Sequence, residues 1–371
     1  MNKKEIMELR KLFKPETTAI DFVVNAYVKH TEDSIQILSI EKNRLLTMDD
    51  TAMLKHLDLS KKTLGGSLEK NLLNIDIPTS ECGENGCQDR LYEVLSSNFQ
   101  DDAMLHDFIE HIAMHCEIIE PFMIQLVHGC YDVISKKTDD SETVYTYMIC
   151  SICPMIPEKA GICYDDAENK FKPIEQKMIA DKPVTGFLYP AFNERATDLY
   201  QTLFYVKKPN EVPVDFIEAI TGGKQPVPAN MQQSLFQDII KESAGDVDFE
   251  TMKNIHEEVR ICIDKAHFAE TDTHIGKSDI QAIISHTCPD VEETVISEAY
   301  DKIMAEYDDS SLALENITDT TKFDVSIPDI TIKAKPDKID KIEQKIIDGR
   351  KCFIIPVYGN IEINGVPVTD K

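Results

Sequence analysis

The chain contains no tryptophan, and aromatic residues make up only 7% of its 371 positions. Sites built on indole stacking are therefore disfavoured. Positive charge is also scarce: 39 Lys and Arg stand against 66 Asp and Glu, a formal net charge of -27. Such a chain is repelled by phosphate backbones and anionic membrane surfaces unless its basic residues are segregated. They are partly segregated. The first fourteen residues carry Lys3, Lys4, Arg10, Lys11 and Lys14 against Glu5 and Glu8, and residues 333–345 are rich in lysine but diluted by Asp337, Asp340 and Glu343. Neither stretch is an arginine-dense arm, and both read first as solvated faces. Long apolar runs are missing too. No window approaches the about 18 apolar residues that a membrane helix needs, and no secretory h-region follows the basic start. Ten cysteines without an export signal are expected to be reduced thiols, which points to the cytoplasm.

Several catalytic signatures are absent. Gly222-Gly223-Lys224-Gln225 lacks the spacing of a Walker loop, and Leu64-Gly65-Gly66-Ser67 is neither a dinucleotide fingerprint nor followed by Lys-Ser. There is no G-x-S-x-G elbow. No repeat at a fixed period is visible.

What is present is ordinary for a globular chain: 42% hydrophobic and 28% charged residues, enough for two or three cores. Helical spacing over residues 3–14 stops at Pro15. Residues 20–30 and 34–43 read as a hairpin, a helix is expected from about Asp50, and residues 71–78 form a short strand. Residues 81–89 read as a loop. Residues 101–119 carry a helical stripe of Leu105, Phe108, Ile109, Ile112, Cys116 and Ile119. Residues 121–135 are apolar on nearly all sides and are expected to be buried. The stretch ETVYTYMICSICP (142–154) reads as a strand buried on both faces, with further strands at 186–192 and 199–208. Residues 229–308 are mainly helical. From Phe323 onward the pattern turns to strands, with Asp348-Gly349 and Asn364-Gly365 as hairpin turns. The expected fold class is α+β, with mixed helices and antiparallel sheets in several modules and a C-terminal β-hairpin sheet. The expected boundaries are 1–78, 79–221, 222–310 and 311–371.

Five segments in order carry a family resemblance: MNKKEIMELRKLFK, KKTLGGSLEKNLLNIDIP, YMICSICP, GFLYPAFNERATDLYQTLFYVKKP and IIDGRKCFIIPVYGNIEINGV. Together the chain resembles a bacterial family catalogued as domain of unknown function number forty-three seventeen. The resemblance covers nearly the whole chain and is most specific over 186–209. It implies a soluble bacterial intracellular protein and assigns neither an activity nor catalytic residues.

Three sets of residues are candidates for chemistry. Cys150 and Cys153 have C-x-x-C spacing, and Cys82 and Cys87 are the nearest second pair, with Cys163 as a substitute ligand. A structural zinc site wants four such donors. Yet residues three apart on a regular strand point to opposite faces, so both sulfurs would reach one ion only if the strand ended at Ser151. The spacing therefore favours Cys150 as core. His111 and His115, at i and i+4, could share a metal, but Ile112 stands where the zincin glutamate would be. The third set is the polar run 193–198, where Glu194 or Asp198 could serve as base or cation ligand and Arg195 could clamp an anion.

No cofactor is expected; zinc or another divalent metal is what the cysteine and histidine sets would take. The leading expectation is a non-enzymatic protein-interaction or regulatory module with a protein partner and no membrane contact. The alternatives are a divalent-metal-dependent hydrolase working around 193–198, and a nucleic-acid associated protein using the two lysine-rich ends.

Overall fold

A computed structural model describes residues 1–31, 34–134, 141–158, 161–173, 177–224, 227–269, 274–305, 307, 311–319, 322–357, 359, 361–363 and 366–368. Contacts divide the chain into two units, Met1–Pro228 and Ala229–Lys371.

The first unit begins with helix α1 (Lys3–Arg10), capped by Asn2, whose side chain accepts from the Lys4 and Glu5 amides while the Glu5 carboxylate returns to the Asn2 amide. Strands β1 (Ile20–His30) and β2 (Ile35–Arg44) follow, then α2 (Asp50–Thr63), β3 (Leu72–Asp76), α3 (Cys87–Ser96) and α4 (Asp102–His115). The long strands β4 (Phe122–Ile134) and β5 (Ser141–Pro157) come next. After them stand the short strands β6 (Ile162–Asp165), β7 (Lys170–Pro173) and β8 (Met178–Ala180), then β9 (Thr185–Tyr189), β10 (Ala191–Asn193), β11 (Ala196–Asp198) and β12 (Gln201–Val206), and finally α5 (Val214–Thr221).

One antiparallel sheet, ordered β2-β1-β4-β5-β9-β12-β3 with β8 beside β5, organises this unit. Its two faces are sorted by the strand period of two. Phe122, Ile124 and Leu126 of β4 with Met148, Cys150 and Ile152 of β5 face a core that also takes residues from α3, α4 and α5. Val127 and Val133 with Tyr145, Tyr147 and Ile149 face the opposite core, which takes Ile6 and Leu9 from α1 and Met53 and Leu57 from α2. A strand covered on both sides is apolar at most positions on either face, which is why 121–135 and 142–154 show no alternation, with Gln125, His128 and Ser151 as buried polar exceptions. Residues 1–78, expected as a module of their own, supply β1, β2 and β3 to this sheet.

The second unit opens with helices: α6 (Ala229–Ala244), α7 (Phe249–Ala269), α8 (Lys277–Thr287) and α9 (Glu293–Met304). Strands β13 (His274–Ile275) and β14 (Leu312–Ala313) form a bridge between them, and the short α10 (Leu314–Ile317) follows. Three two-stranded hairpins end the described chain: β15 (Phe323–Ile327) with β16 (Ile330–Ala334), β17 (Glu343–Ile347) with β18 (Arg350–Ile354), and β19 (Ile361–Ile363) with β20 (Val366–Val368). Asp348 and Gly349 make the expected turn, both at positive φ; Asn364-Gly365 lies outside the described residues. The fold is α+β, as expected. Among the described residues no helix is long and apolar enough to cross a membrane.

Candidate functional site

One concave site grows from the way α2 docks on the sheet. His56, Ser60 and Thr63 occur at i, i+4 and i+7, one stripe of the helix. That stripe meets the polar residues of two otherwise apolar strands. His56 Nδ1 donates to Gln125 Oε1 at 2.8 Å, Gln125 Nε2 donates to Ser60 Oγ at 3.0 Å, and the Thr63 and Ser151 hydroxyls are 2.6 Å apart. Ser60, Thr63, Gln125 and Ser151 are buried, so these bonds satisfy groups whose burial would otherwise be costly. They also fix the end of α2 over β5.

Beyond that end the chain turns through Gly65 and Gly66, and Gly66 adopts φ 102°, a conformation open to glycine. Asn71 closes the turn by accepting from the Ser67 amide and donating to the Val206 and Lys207 carbonyls. The result is a cavity of about 370 Å³ lined by Arg10, Asp58, Lys61, Lys62, Gly65, Gly66, Asn71, Lys182, Tyr205 and Lys207. Five cations from separate stretches of the chain converge on it with a single carboxylate, Asp58, in a chain of net charge -27.

Two of the cations have partners at the rim. Lys62 is paired with Asp58 one helical turn earlier, and Lys207 lies 3.9 Å from Asp181. Among the described residues no carboxylate lies within ion-pair distance of Arg10, Lys61 or Lys182. Lys61 and Lys62 also face the carbonyl end of α2, which gives them a structural reason to be basic. Arg10 likewise stands in the last turn of α1, whereas Lys182 and Lys207 lie outside any helix. Burial pushes the Tyr205 phenol above its ordinary pKa, with Cys153 adding to the shift, so its O–H is retained as a donor. Ammonium, guanidinium, amide and phenol donors around one small cavity suit a compact anion.

The residues singled out from sequence lie elsewhere. Strand β5 continues through Cys153 and Pro154 to Pro157, correcting the expectation of a strand that stops at the proline. Cys150 and Cys153 therefore point to opposite faces; both are fully buried, and burial raises both thiol pKa values, Cys153 to about 12. Cys82 points to the Pro78 carbonyl and Cys87 to that of Ala219. Burial, followed by the Glu81 carboxylate, raises Cys87 to about 11. The side chain of Cys163 lies outside the described residues.

The His111 and His115 rings on α4 lie with centroids 4.6 Å apart, tilted by 53°. His111 Nε2 donates to the Ala219 carbonyl at 2.9 Å, with the Arg90 guanidinium equally close, and His115 Nδ1 donates to the His111 carbonyl. The polar run 193–198 is a hairpin, β10–β11, with Glu194 and Arg195 at positive φ in its turn. Its groups bind α1: the Glu194 amide donates to Glu5 Oε1 at 2.6 Å, and Arg195 holds Glu8 through Nε and Nη2 at 2.9–3.2 Å. Asn193 Nδ2 donates to Asp198 Oδ2 at 2.7 Å. Glu194, Arg195 and Asp198 thus share one hairpin but take separate partners: Glu5, Glu8 and Asn193.

Sequence reasoning passed over Lys61, Lys182 and Lys207. The available signal was the doublet Lys61-Lys62 just before Gly65-Gly66, which matches no named motif. No curated protein and no solved structure matches the chain. A family model matches residues 1–366, so nearly the whole chain belongs to the family described as Domain of unknown function (DUF4317).

Proposed function

We propose that the chain is a non-enzymatic regulatory module whose first unit binds a small phosphate-bearing anion in the cationic cleft. The observation that carries this reading is the gathering of Arg10, Lys61, Lys62, Lys182 and Lys207 around about 370 Å³ in an otherwise acidic chain. Bringing like charges together is unfavourable by itself, and an anion relieves it. The volume falls in the range of small-molecule sites and is too small for a nucleic-acid duplex. The nine cysteines with described side chains are free thiols, which supports a reducing, cytoplasmic setting, and the family resemblance supports a bacterial one.

The test is calorimetric titration of the full chain with inorganic phosphate, pyrophosphate and a nucleoside triphosphate at low and moderate salt. Saturable binding that weakens with salt, and weakens at least about tenfold in Lys61→Ala and Lys182→Ala, is the expected result. Absence of binding at low salt, or binding indifferent to both substitutions, overturns the reading.

A second reading, contact with a protein partner, is favoured by a separate observation in the second unit. Its hairpins expose Ile330, Ile346 and Val366 at 56–73% of their surface, and two-stranded hairpins leave strand edges open to pairing. Cross-linking of native complexes followed by mass spectrometry should place the contacts within 323–368. Contacts confined to the first unit would exclude this reading.

A further inference from the structure

His128 lies on β4 between Phe22 of β1 and Met148 of β5, 1% exposed, with the Phe99 ring set edge-on against it at 5.5 Å. Neither of its ring nitrogens has a hydrogen-bond partner. An imidazole buried in that way carries an unmet polar demand. Its Nδ1 is 3.4 Å from Asp21 Oδ2, close enough to feel the charge but not aligned as a hydrogen bond.

Asp21 reaches this position because of a bulge. The register of β1 on β4 passes from Ile20 opposite Gly129 directly to Phe22 opposite His128, leaving Asp21 as the extra residue. Cys130 lies two residues beyond His128 and so on the same face of β4. Its thiol is 3.6 Å from the Thr146 hydroxyl on β5. Ligand atoms of Asp21, His128 and Cys130 all lie within 4.8 Å of one another. Asp21 and Cys130 are exposed, so solvent reaches the cluster from one side while His128 closes it from the other.

We infer that Asp21, His128 and Cys130 form a site for one zinc-like divalent transition-metal ion, with a fourth position open to water. The donor set selects the ion. One carboxylate oxygen, one imidazole nitrogen and one sulfur suit zinc and its neighbours, whereas calcium and magnesium take oxygen donors. Charge also balances. A carboxylate, a thiolate and a neutral imidazole sum to two negative charges, which one divalent cation neutralises. On binding, the Cys130 thiol gives its proton to solvent and the sulfur becomes the ligand. The site shares no residue with the cationic cleft and does not depend on it. A second group, His106, Asp107 and Glu110 on α4, is exposed throughout and has no buried side chain directed at an ion.

Cobalt provides the test. The chelator-stripped full chain is titrated with Co²⁺ and followed by absorption, and zinc affinity is read by competition with a chromophoric chelator. One equivalent should produce a thiolate-to-cobalt charge-transfer band with the strong visible bands of a tetrahedral ion. Cys130→Ser should abolish the charge-transfer band, while Cys262→Ser in the second unit leaves it intact. Asp21→Asn, which keeps the side-chain shape at the exposed bulge, should weaken zinc by more than the roughly tenfold that loss of an outer partner costs. No charge-transfer band in the parent chain, a band that survives Cys130→Ser, or zinc affinity unchanged in Asp21→Asn overturns the inference.

Discussion

The two units build β-structure in opposite ways. In the first, β4 and β5 are covered on both faces, and their side chains belong alternately to two separate cores. In the second, among the described residues, each hairpin pairs only with itself, and much of its apolar surface faces solvent. The second unit's hairpins gain support from aromatic contacts with α7: Phe249 meets Phe323 at 6.2 Å and Phe353 at 5.3 Å, and His256 meets Phe323 at 5.2 Å. The difference teaches that strand content alone says little about where stability resides. The sheet of the first unit is held by burial, and the hairpins of the second by turns and a few ring contacts.

The strongest way to break that comparison is to truncate one apolar residue in each. Phe204 on β12 is fully buried, with its ring 5.4 Å from Phe187 and 5.8 Å from Phe216. Phe204→Ala should cost about 3–5 kcal/mol through lost transfer energy and the cavity left behind. Ile346 on β17 is 73% exposed, and Ile346→Ala should stay within about 0.5 kcal/mol. Urea denaturation followed by probes in each unit measures both. Equal costs would mean that the hairpin surface is covered in solution.

Much of this architecture was legible in the sequence. Helices α1 and α2 showed their period because each buries one stripe, and the β1–β2 hairpin, β3 and the hairpins through β18 were marked by short β-rich runs between turn residues. Residues 121–135 could be read as buried but not as a strand, since a chain buried on both faces has no alternation to display. The joining of residues 1–78 to the larger sheet was hidden for a related reason: pairing of β3 with β12 joins residues more than a hundred positions apart, and no local pattern records it. The cleft was hidden in the same way. Arg10, Lys61, Lys182 and Lys207 meet only after β9 and β12 are laid beside the end of α2. Asp21 could not be placed without the bulge opposite Gly129 and His128. Only the reading of Cys150 as core needed nothing beyond strand geometry.

A smaller effect sharpens the comparison at two glycines with positive φ. At Gly66, φ 102°, an added Cβ would fall 2.4 Å from that of Asn71, the residue that holds the turn to β12. At Gly349, φ 78°, it would meet nothing within 4 Å. Gly66→Ala should therefore add displacement of Asn71 to backbone strain and cost about 2–3 kcal/mol, with weakened anion binding. Gly349→Ala should cost about 1 kcal/mol from strain alone. Thermal melts of the two variants beside the parent chain give the order, and a reversed order would show that the turn at 348–349 carries more of the fold than its contacts indicate.

The smallest effect concerns one histidine in each unit. Burial lowers the pKa of His111 more than the Ala219 carbonyl raises it, and the nearby Arg90 and His115 lower it further. Burial likewise lowers His256 against the opposing pull of the Asp319 carbonyl. In both cases the folded pKa is below the unfolded value of about 6.5. The unfolded chain then binds more protons than the folded one as pH falls through that value, so stability is complete above it and declines below it, down to the folded pKa. Both imidazoles should titrate below about 6.5 by NMR, and both units should lose stability on mild acidification. Replacement by Gln, which cannot charge, should flatten that decline in the unit that carries it: His111→Gln in the first and His256→Gln in the second. A decline left unchanged by both substitutions would assign the acid sensitivity to other groups, and the contrast between the units would then rest on packing alone.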